Sequence, residues 1–269
     1  MKNSATLFTL VCLLLAGGEV VSGQKCGCKR GECCSKFGFC GNDNAHCGGN
    51  CWAGPCKGRN RVKVGDIVSD AFFNGIVASQ GRRGCPGKGF YSRPRFLLAM
   101  AAYPTFATIG SADDSKREVA AFFAHVAHET GRLCFIEEKG GQSNSKTYCD
   151  PTNAQWPCAA NKHYYGRGPL KLTWNYNYGA AGRAIGFNIL RNPELVAANA
   201  LISIKASIWF WMENCHAPFI SGKGFGATIR AINSVECNGK SPTQVSSRVE
   251  YYKEYCKQFR VNPGPNLRC

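Results

Sequence analysis

"SKREVAAFFAHVAHETG" (residues 115–131) carries Val119, Phe122, Phe123 and Val126 at spacings of three and four, the period of one helical face. Ser115 and Glu118 stand three apart as a capping box, and Gly131 is the residue type that closes helices in the left-handed conformation. Glu129 follows Val126 by three positions and Phe122 by seven, so the apolar face ends on a carboxylate in the last turn. A carboxylate set against an apolar surface suits a general acid. The competing reading is a glutamate that turns to solvent as the helix frays. "HVAHE" superficially suggests zinc, but its order matches neither H-E-x-x-H nor H-x-x-E-H, so at least one histidine is expected to be structural.

Hydrolysis by acid and base needs a second carboxylate. "CFIEEKGG" (134–141) supplies Glu137 and Glu138 on the return from the helix, although adjacent acids are also common as a solvated surface pair. "HYYGRGPLKLTWNYNYG" (163–179) mixes aromatic faces with amides and hydroxyls, which suits an uncharged polar ligand or a buried aromatic loop. "GKGFG" (222–226) lacks the lysine and hydroxyl of a phosphate loop.

Further helices are expected in "VGDIVSDAFFNGI" (64–76), in "SRPRFLLAMAAYP" (92–104) with Ser92 as cap, and in "SPTQVSSRVEYYKEYCKQF" (241–259). "NPELVAANALISIKASIWFWMEN" (192–214), with Asn192 as cap and Pro193 in first position, is apolar nearly all round and reads as the buried central helix. Residues 137–180 read as a large irregular or short-strand lobe, of the length that usually carries function.

The first 23 residues have the pattern of a secretory signal: Lys2, the apolar run "LFTLVCLLLAGG", then small residues before Gln24. That run is too short for the ~20 residues of a membrane span. Of 17 cysteines only Cys12 lies there, leaving an even number for disulfides in an oxidising compartment. Eight of them crowd residues 26–56, a unit too poor in aliphatics to fold without staples. "KGRNRVK" (57–63) reads as a linker, with a helix-rich unit from 64 to 269. The formal charge of +16 is dispersed, which speaks against nucleic acid and for an anionic environment.

The motifs "CCSKFGFCG", "GCPGKGFYSRPRF", "FFAHVAHETG", "DPTNAQWPC" and "YYGRGPLKLTWNYNYG" occur together. Residues 24–56 resemble a hevein-type chitin-binding module, and residues 64–269 resemble the catalytic domain of plant family-19 chitinases; the combination is similar to class IV. The resemblance implies a mainly α, lysozyme-like α+β catalytic domain behind a small disulfide-rich module. It further implies a secreted monomer that inverts the anomeric centre of β-1,4-linked N-acetylglucosamine, acting on chitin and chitooligosaccharides without cofactor, metal or membrane partner.

By resemblance Glu129 is the general acid, Glu138 the general base and Thr173 the hydroxyl that positions water. Trp156, Tyr176, Asn177 and Asn233 fall on the substrate side, with Glu236 and Arg248 as an ion-pair network supporting the acid. In the module, Ser35, Phe37, Phe39 and His46 match the sugar-binding positions, with Phe37 and Phe39 expected on one side of an extended segment. The implied bridges are Cys26–Cys34, Cys28–Cys40, Cys33–Cys47, Cys51–Cys56, Cys85–Cys134, Cys149–Cys158 and Cys237–Cys269; Cys215 has no counterpart in the family, and a pairing with Cys256 is a separate expectation. Departures from the family are Lys171 for a usual glutamine, Glu250 for a glycine, His46 for a usual tyrosine, and a shortened stretch 232–237. They keep open a chitin-binding lectin that has lost turnover; a lysozyme acting on peptidoglycan is a third reading.

Overall fold

The computed structural model describes residues 26–35, 37–48, 50–78, 84–143 and 146–269. The expected signal segment 1–23 lies outside them. The N-terminal unit is a three-stranded antiparallel sheet, order β2-β1-β3, made of β1 (Cys33–Ser35), β2 (Cys40–Gly41) and β3 (Cys51–Ala53), with a single helical turn α1 (Asn44–Cys47). Cys33, Cys47, Cys51 and Cys56 form its small buried cluster. Bridges join Cys26 to Cys34, Cys28 to Cys40, Cys33 to Cys47 and Cys51 to Cys56. Covalent closure is what holds a unit with so little core, each bridge contributing roughly 2–4 kcal/mol.

This unit is packed onto the rest of the chain. Trp52 is buried edge-on against Tyr103, and its carbonyl accepts from Thr105 Oγ1. Residues 57–63 form a pinned strap: Asn60 N donates to Thr108 O, and the Asn60 amide nitrogen reaches Gly110 O, Ser111 O and Ser115 Oγ.

Beyond the strap the chain is helical: α2 (Val64–Ile67), α3 (Asp70–Ala78), α4 (Arg93–Ala101), α5 (Ala112–Thr130), α6 (Asn175–Ile185), α7 (Leu195–Ala198), α8 (Ala200–Asn214), α9 (His216–Pro218), α10 (Phe225–Asn233) and α11 (Pro242–Gln258). No helix among the described residues is long and apolar enough to cross a membrane.

Several expected elements differ in detail. The 64–76 helix is broken at Val68–Ser69, where Ser69 Oγ accepts from Phe72 N and starts α3. The 192–214 helix is broken at Asn199, whose side chain caps α8 through Leu201 N and Ile202 N, so the cap is not Asn192. Helix α5 begins earlier than Ser115, because the capping box is Ser111 with Asp114. Glu118 is instead buried in the core, where it accepts from Ala107 N, Trp211 Nε1 and His216 Nδ1. The free thiols Cys215 and Cys256 are both buried and are not joined. They sit on different elements, Cys215 just past α8 and Cys256 within α11 beside Tyr252.

The core is centred on α5 as much as on α8. Phe122 and Phe123 of α5 are fully enclosed by Phe72, Phe96, Phe106 and Trp211 in edge and tilted contacts. Truncating either ring would cost about 3–5 kcal/mol. Helix α11 packs along α5 and brings Arg248 to the end that carries Glu129. The bridges Cys85–Cys134, Cys149–Cys158 and Cys237–Cys269 tie the loops around this frame.

Candidate active site

At the C-terminal end of α5, Gly131 takes the left-handed conformation and stops the helix just after Glu129. Glu129 is not held in an apolar pocket: its side chain is 18% exposed, and Arg248 Nη2 donates to its Oε1 at 2.5 Å. The Arg248 guanidinium is itself buried and makes a two-pronged contact with Glu236, Nε to Oε2 and Nη2 to Oε1, each at 2.8 Å. Burial alone would raise the Glu236 carboxyl, but the hydrogen bonds and charge of Arg248 hold it below the usual carboxylate range. Asn233 Nδ2 donates to Glu236 Oε1 at 2.8 Å, so the shortened 232–237 stretch keeps this pair in register. Arg248 and Glu236, expected as the ion-pair network supporting the acid, are buried behind Glu129, and Glu129 and Asn233 are their contacts among the described residues that line the cleft. Glu250 lies exposed on α11.

The remaining Arg248 nitrogen fixes a histidine tautomer. Arg248 Nη1 lies 3.1 Å from His125 Nδ1, and a guanidinium has only donors, so Nδ1 accepts and the proton sits on Nε2. His125 Nε2 then donates to Thr228 Oγ1 at 2.8 Å, which passes its own proton to Phe225 O at 2.7 Å. Burial, with Arg248 adding to it, holds His125 well below the usual histidine range, consistent with the neutral ring this chain of donors needs. His125 is the structural histidine expected from the motif.

Across the loop, the two adjacent acids part company. A short antiparallel bridge pairs Glu137 with Arg167, and although both acids reach the cleft they take different partners. Glu137 Oε2 accepts from Tyr165 OH at 3.0 Å and lies 3.7 Å from Arg167 Nε. Glu138 accepts from Tyr148 OH at 3.1 Å and from Gly166 N at 3.3 Å. Tyr148 was not singled out from the sequence; its place directly before the bridged Cys149 was the available signal.

Glu129, Glu138, Thr173, Lys171 and Asn233 line one cleft of about 450 Å3, together with Phe135, Glu137, Lys139 and Gly166. Thr173 Oγ1 donates to Lys171 O at 2.7 Å and keeps its lone pairs for a further donor. Asn177, from the first turn of α6, donates to Thr173 O at 2.8 Å. Tyr176 stacks parallel to Trp174, which Tyr148 meets edge-on. Trp156 lies flat on α6 at Gly179, where any Cβ would come within 2.4 Å of the indole. Buried Asn175 staples these pieces, donating to Asp150 O and Trp156 O and accepting from Asp150 N. Trp156, Tyr176 and Asn177 thus belong to the wall beside the cleft, with Thr173 as their link to it.

The N-terminal sheet places its aromatics differently from the expectation. Phe37 and Gly38 lie in a turn rather than an extended segment, with Ser35 N donating to Phe39 O and Gly38 N donating to Ser35 O. Phe37 and Phe39 are 64% and 66% exposed, far above any other aromatic of this unit. Ser35 is buried, and its Oγ accepts from Phe39 N, which braces the turn. His46 is tied to Asp43, its Nδ1 at 2.6 Å from Oδ1, with the ring packed over Gly41. That hydrogen bond lowers the Asp43 carboxyl.

The family model described as "Chitinase class I" matches residues 67–222. Endochitinase A of Zea mays is 52% identical to this chain, with both proteins covered completely. Endochitinase EP3 of Arabidopsis thaliana is 50% identical over all of this chain and 98% of its own. Among solved structures, the family GH19, class IV chitinase from Zea mays superposes with a TM-score of 0.72 at 56% identity, covering 77% of this chain and 100% of that one. Chitinase C from Streptomyces griseus superposes with a TM-score of 0.69 at 41% identity, over 76% of this chain and 98% of its own.

Proposed function

This chain belongs to glycoside hydrolase family 19, the class I chitinase family, and on that footing we propose that it is an endochitinase using Glu129 as general acid and Glu138 as general base. The observation that carries the assignment is that both carboxyl groups and the Thr173 hydroxyl open onto a single cleft. A β-1,4 linkage between N-acetylglucosamine residues lies in that cleft. Glu129 protonates the departing glycosidic oxygen, and Glu138 takes a proton from a water that attacks the opposite face of the sugar, which inverts the anomeric centre. Tyr148 and the Gly166 N–H orient Glu138, and the Thr173 oxygen receives a hydrogen bond from the attacking water. Arg248, locked by Glu236 and His125, orients Glu129.

In the same reading residues 24–56 are a chitin-binding module that presents Phe37 and Phe39 as a stacking shelf, and 57–63 joins it to a catalytic unit spanning 64–269. Residues 1–23 direct secretion, and the enzyme works extracellularly as a monomer with neither nucleic acid nor membrane as partner. The bridges of the described residues fit an oxidising compartment.

The test is proton NMR of a soluble N-acetylglucosamine hexamer incubated with the protein. Early appearance of the α-anomer at newly formed ends supports the assignment. Binding of sugar with no new ends would mean a lectin on an enzyme scaffold and would refute it.

A further inference from the structure

Among the described residues lining the cleft, Lys171 carries a buried charged group with no hydrogen-bond partner. It follows the tight turn closed by Lys171 N to Gly168 O, with its backbone in the left-handed region at φ 49°. Its Cβ is pressed against Gly166, where an added methyl would come within 3.1 Å. The stem is thereby directed along the cleft wall. The Nζ atom is closed off from water and has no hydrogen-bond partner among the described residues.

Carboxylates are close by, but each pairs with another donor and none bonds to Nζ. Glu129, from the end of α5, takes Arg248; Glu137 takes Tyr165 and Arg167; Glu138 takes Tyr148 and the Gly166 N–H. Asn233, from the end of α10, donates its amide nitrogen to Glu236, and its Oδ1 makes no bond to Lys171 Nζ. Lys139, the other cation on the cleft wall, lies over the Phe135 ring at 4.6 Å. An ammonium with three donors and no acceptor is costly in a folded chain unless a ligand supplies the acceptor.

Resting on the endochitinase reading above, we propose that Lys171 is a charge-selecting residue of this cleft. When a sugar binds, the lysine side chain turns its enclosed ammonium into the cleft, where it donates to an uncharged oxygen of that sugar, an acetamido carbonyl or a hydroxyl, and repels the 2-ammonium group of a deacetylated sugar at that position. Burial pushes the Lys171 amine down to about 8 against the pull of Glu129, Glu137 and Glu138, so it is charged throughout the mildly acid range in which glucosamine is also charged. Two like charges brought together in a partly dry cleft cost on the order of tenfold in affinity or more. The enzyme therefore cleaves where the sugar facing Lys171 is acetylated and passes over positions where it is not.

The experiment compares wild type, Lys171→Gln and Lys171→Arg on two substrates at about pH 5.5, where both amines carry charge. One substrate is the fully acetylated hexamer, the other a half-acetylated chitosan whose products are sequenced by mass spectrometry. Thermal melts establish that each variant is folded. Expected is a rise of about tenfold in the chitosan-to-hexamer ratio of kcat/KM for Lys171→Gln, with new product ends at glucosamine. Lys171→Arg keeps the wild-type ratio, because it keeps the charge. Full activity on the hexamer with an unchanged ratio in Lys171→Gln overturns the inference alone. Failure of the wild type on the hexamer overturns the endochitinase reading and the inference with it.

Discussion

Replacing Lys171 by methionine keeps the length of the stem and removes the charge, and the fold should gain from the exchange. A lysine depressed from 10.5 to about 8 has its charged form disfavoured in the native state by about 3 kcal/mol. That figure is already net of the attraction from Glu129, Glu137 and Glu138, which opposes the shift. Because Lys171 is half-buried and solvent screens part of the effect, the expected gain is about 1–3 kcal/mol. In a chain of this size that corresponds to a melting temperature higher by roughly 2–10 °C.

The pH dependence identifies the cause. Below about 8 the amine is protonated in both folded and unfolded chains, so the penalty is present in full. Between about 8 and 10.5 the folded chain gives up the proton first and the penalty fades; above 10.5 it is gone. Calorimetry of wild type and Lys171→Met at about pH 6 and about pH 10 should show a stabilised variant at the first and a much smaller difference at the second. An equal difference at both values, or a less stable variant at the lower one, would refute the claim that an unpartnered ammonium is stored in the cleft.

Three further outcomes follow from the contacts. Arg248→Met leaves Glu236 and Glu129 without their shared cation and should lose about 3–5 kcal/mol in urea titrations; Arg248→Lys should recover only part, since an ammonium cannot bridge two carboxylates as a fork. A variant as stable as wild type would contradict the network. Phe37→Ala combined with Phe39→Ala should abolish retention on chitin beads, and unchanged retention would remove those rings from the binding surface. Asn60→Ala releases the strap from the start of α5, so limited proteolysis should speed up within 57–63 while the melting of the helical unit barely moves. Equal cleavage rates would mean that the backbone bonds of the strap and the Trp52 contacts hold it without the Asn60 side chain.

What could be seen in the sequence was what short-range periodicity encodes. The apolar face of α5 and the carboxylate at its end needed only seventeen neighbouring letters. The helix start did not: Ser111 with Asp114 and Ser115 with Glu118 are equally good capping pairs on paper. The choice falls to the first because Glu118 is required inside, where Ala107 N, Trp211 and His216 converge on it from distant parts of the chain. The same holds for Glu137 and Glu138, which local pattern cannot separate; Arg167 claims one and Tyr148 the other. Arg248 stands 119 positions from Glu129, and only the family resemblance joined them in advance.

The backbone around the cleft shows why that information is non-local. Tyr148, Lys171 and Trp174 all take positive φ without being glycine, at 52°, 49° and 77°. Such conformations cost about 1–3 kcal/mol each and persist only where the surroundings over-determine them. The over-determination is visible: Asn175 holds the Tyr148 and Trp156 loops to the start of α6, Cys149–Cys158 closes the loop between them, and Trp174 N is tied to Tyr164 O. Each strained residue also serves the site, since Tyr148 donates to Glu138, Trp174 backs Tyr148, and Lys171 offers its carbonyl to Thr173. Relaxing any one of them would favour the local chain and misplace a group that lines or braces the cleft. The irregular lobe is therefore held by long-range staples because its own residues, left to short-range preference, would not adopt the geometry that the chemistry needs.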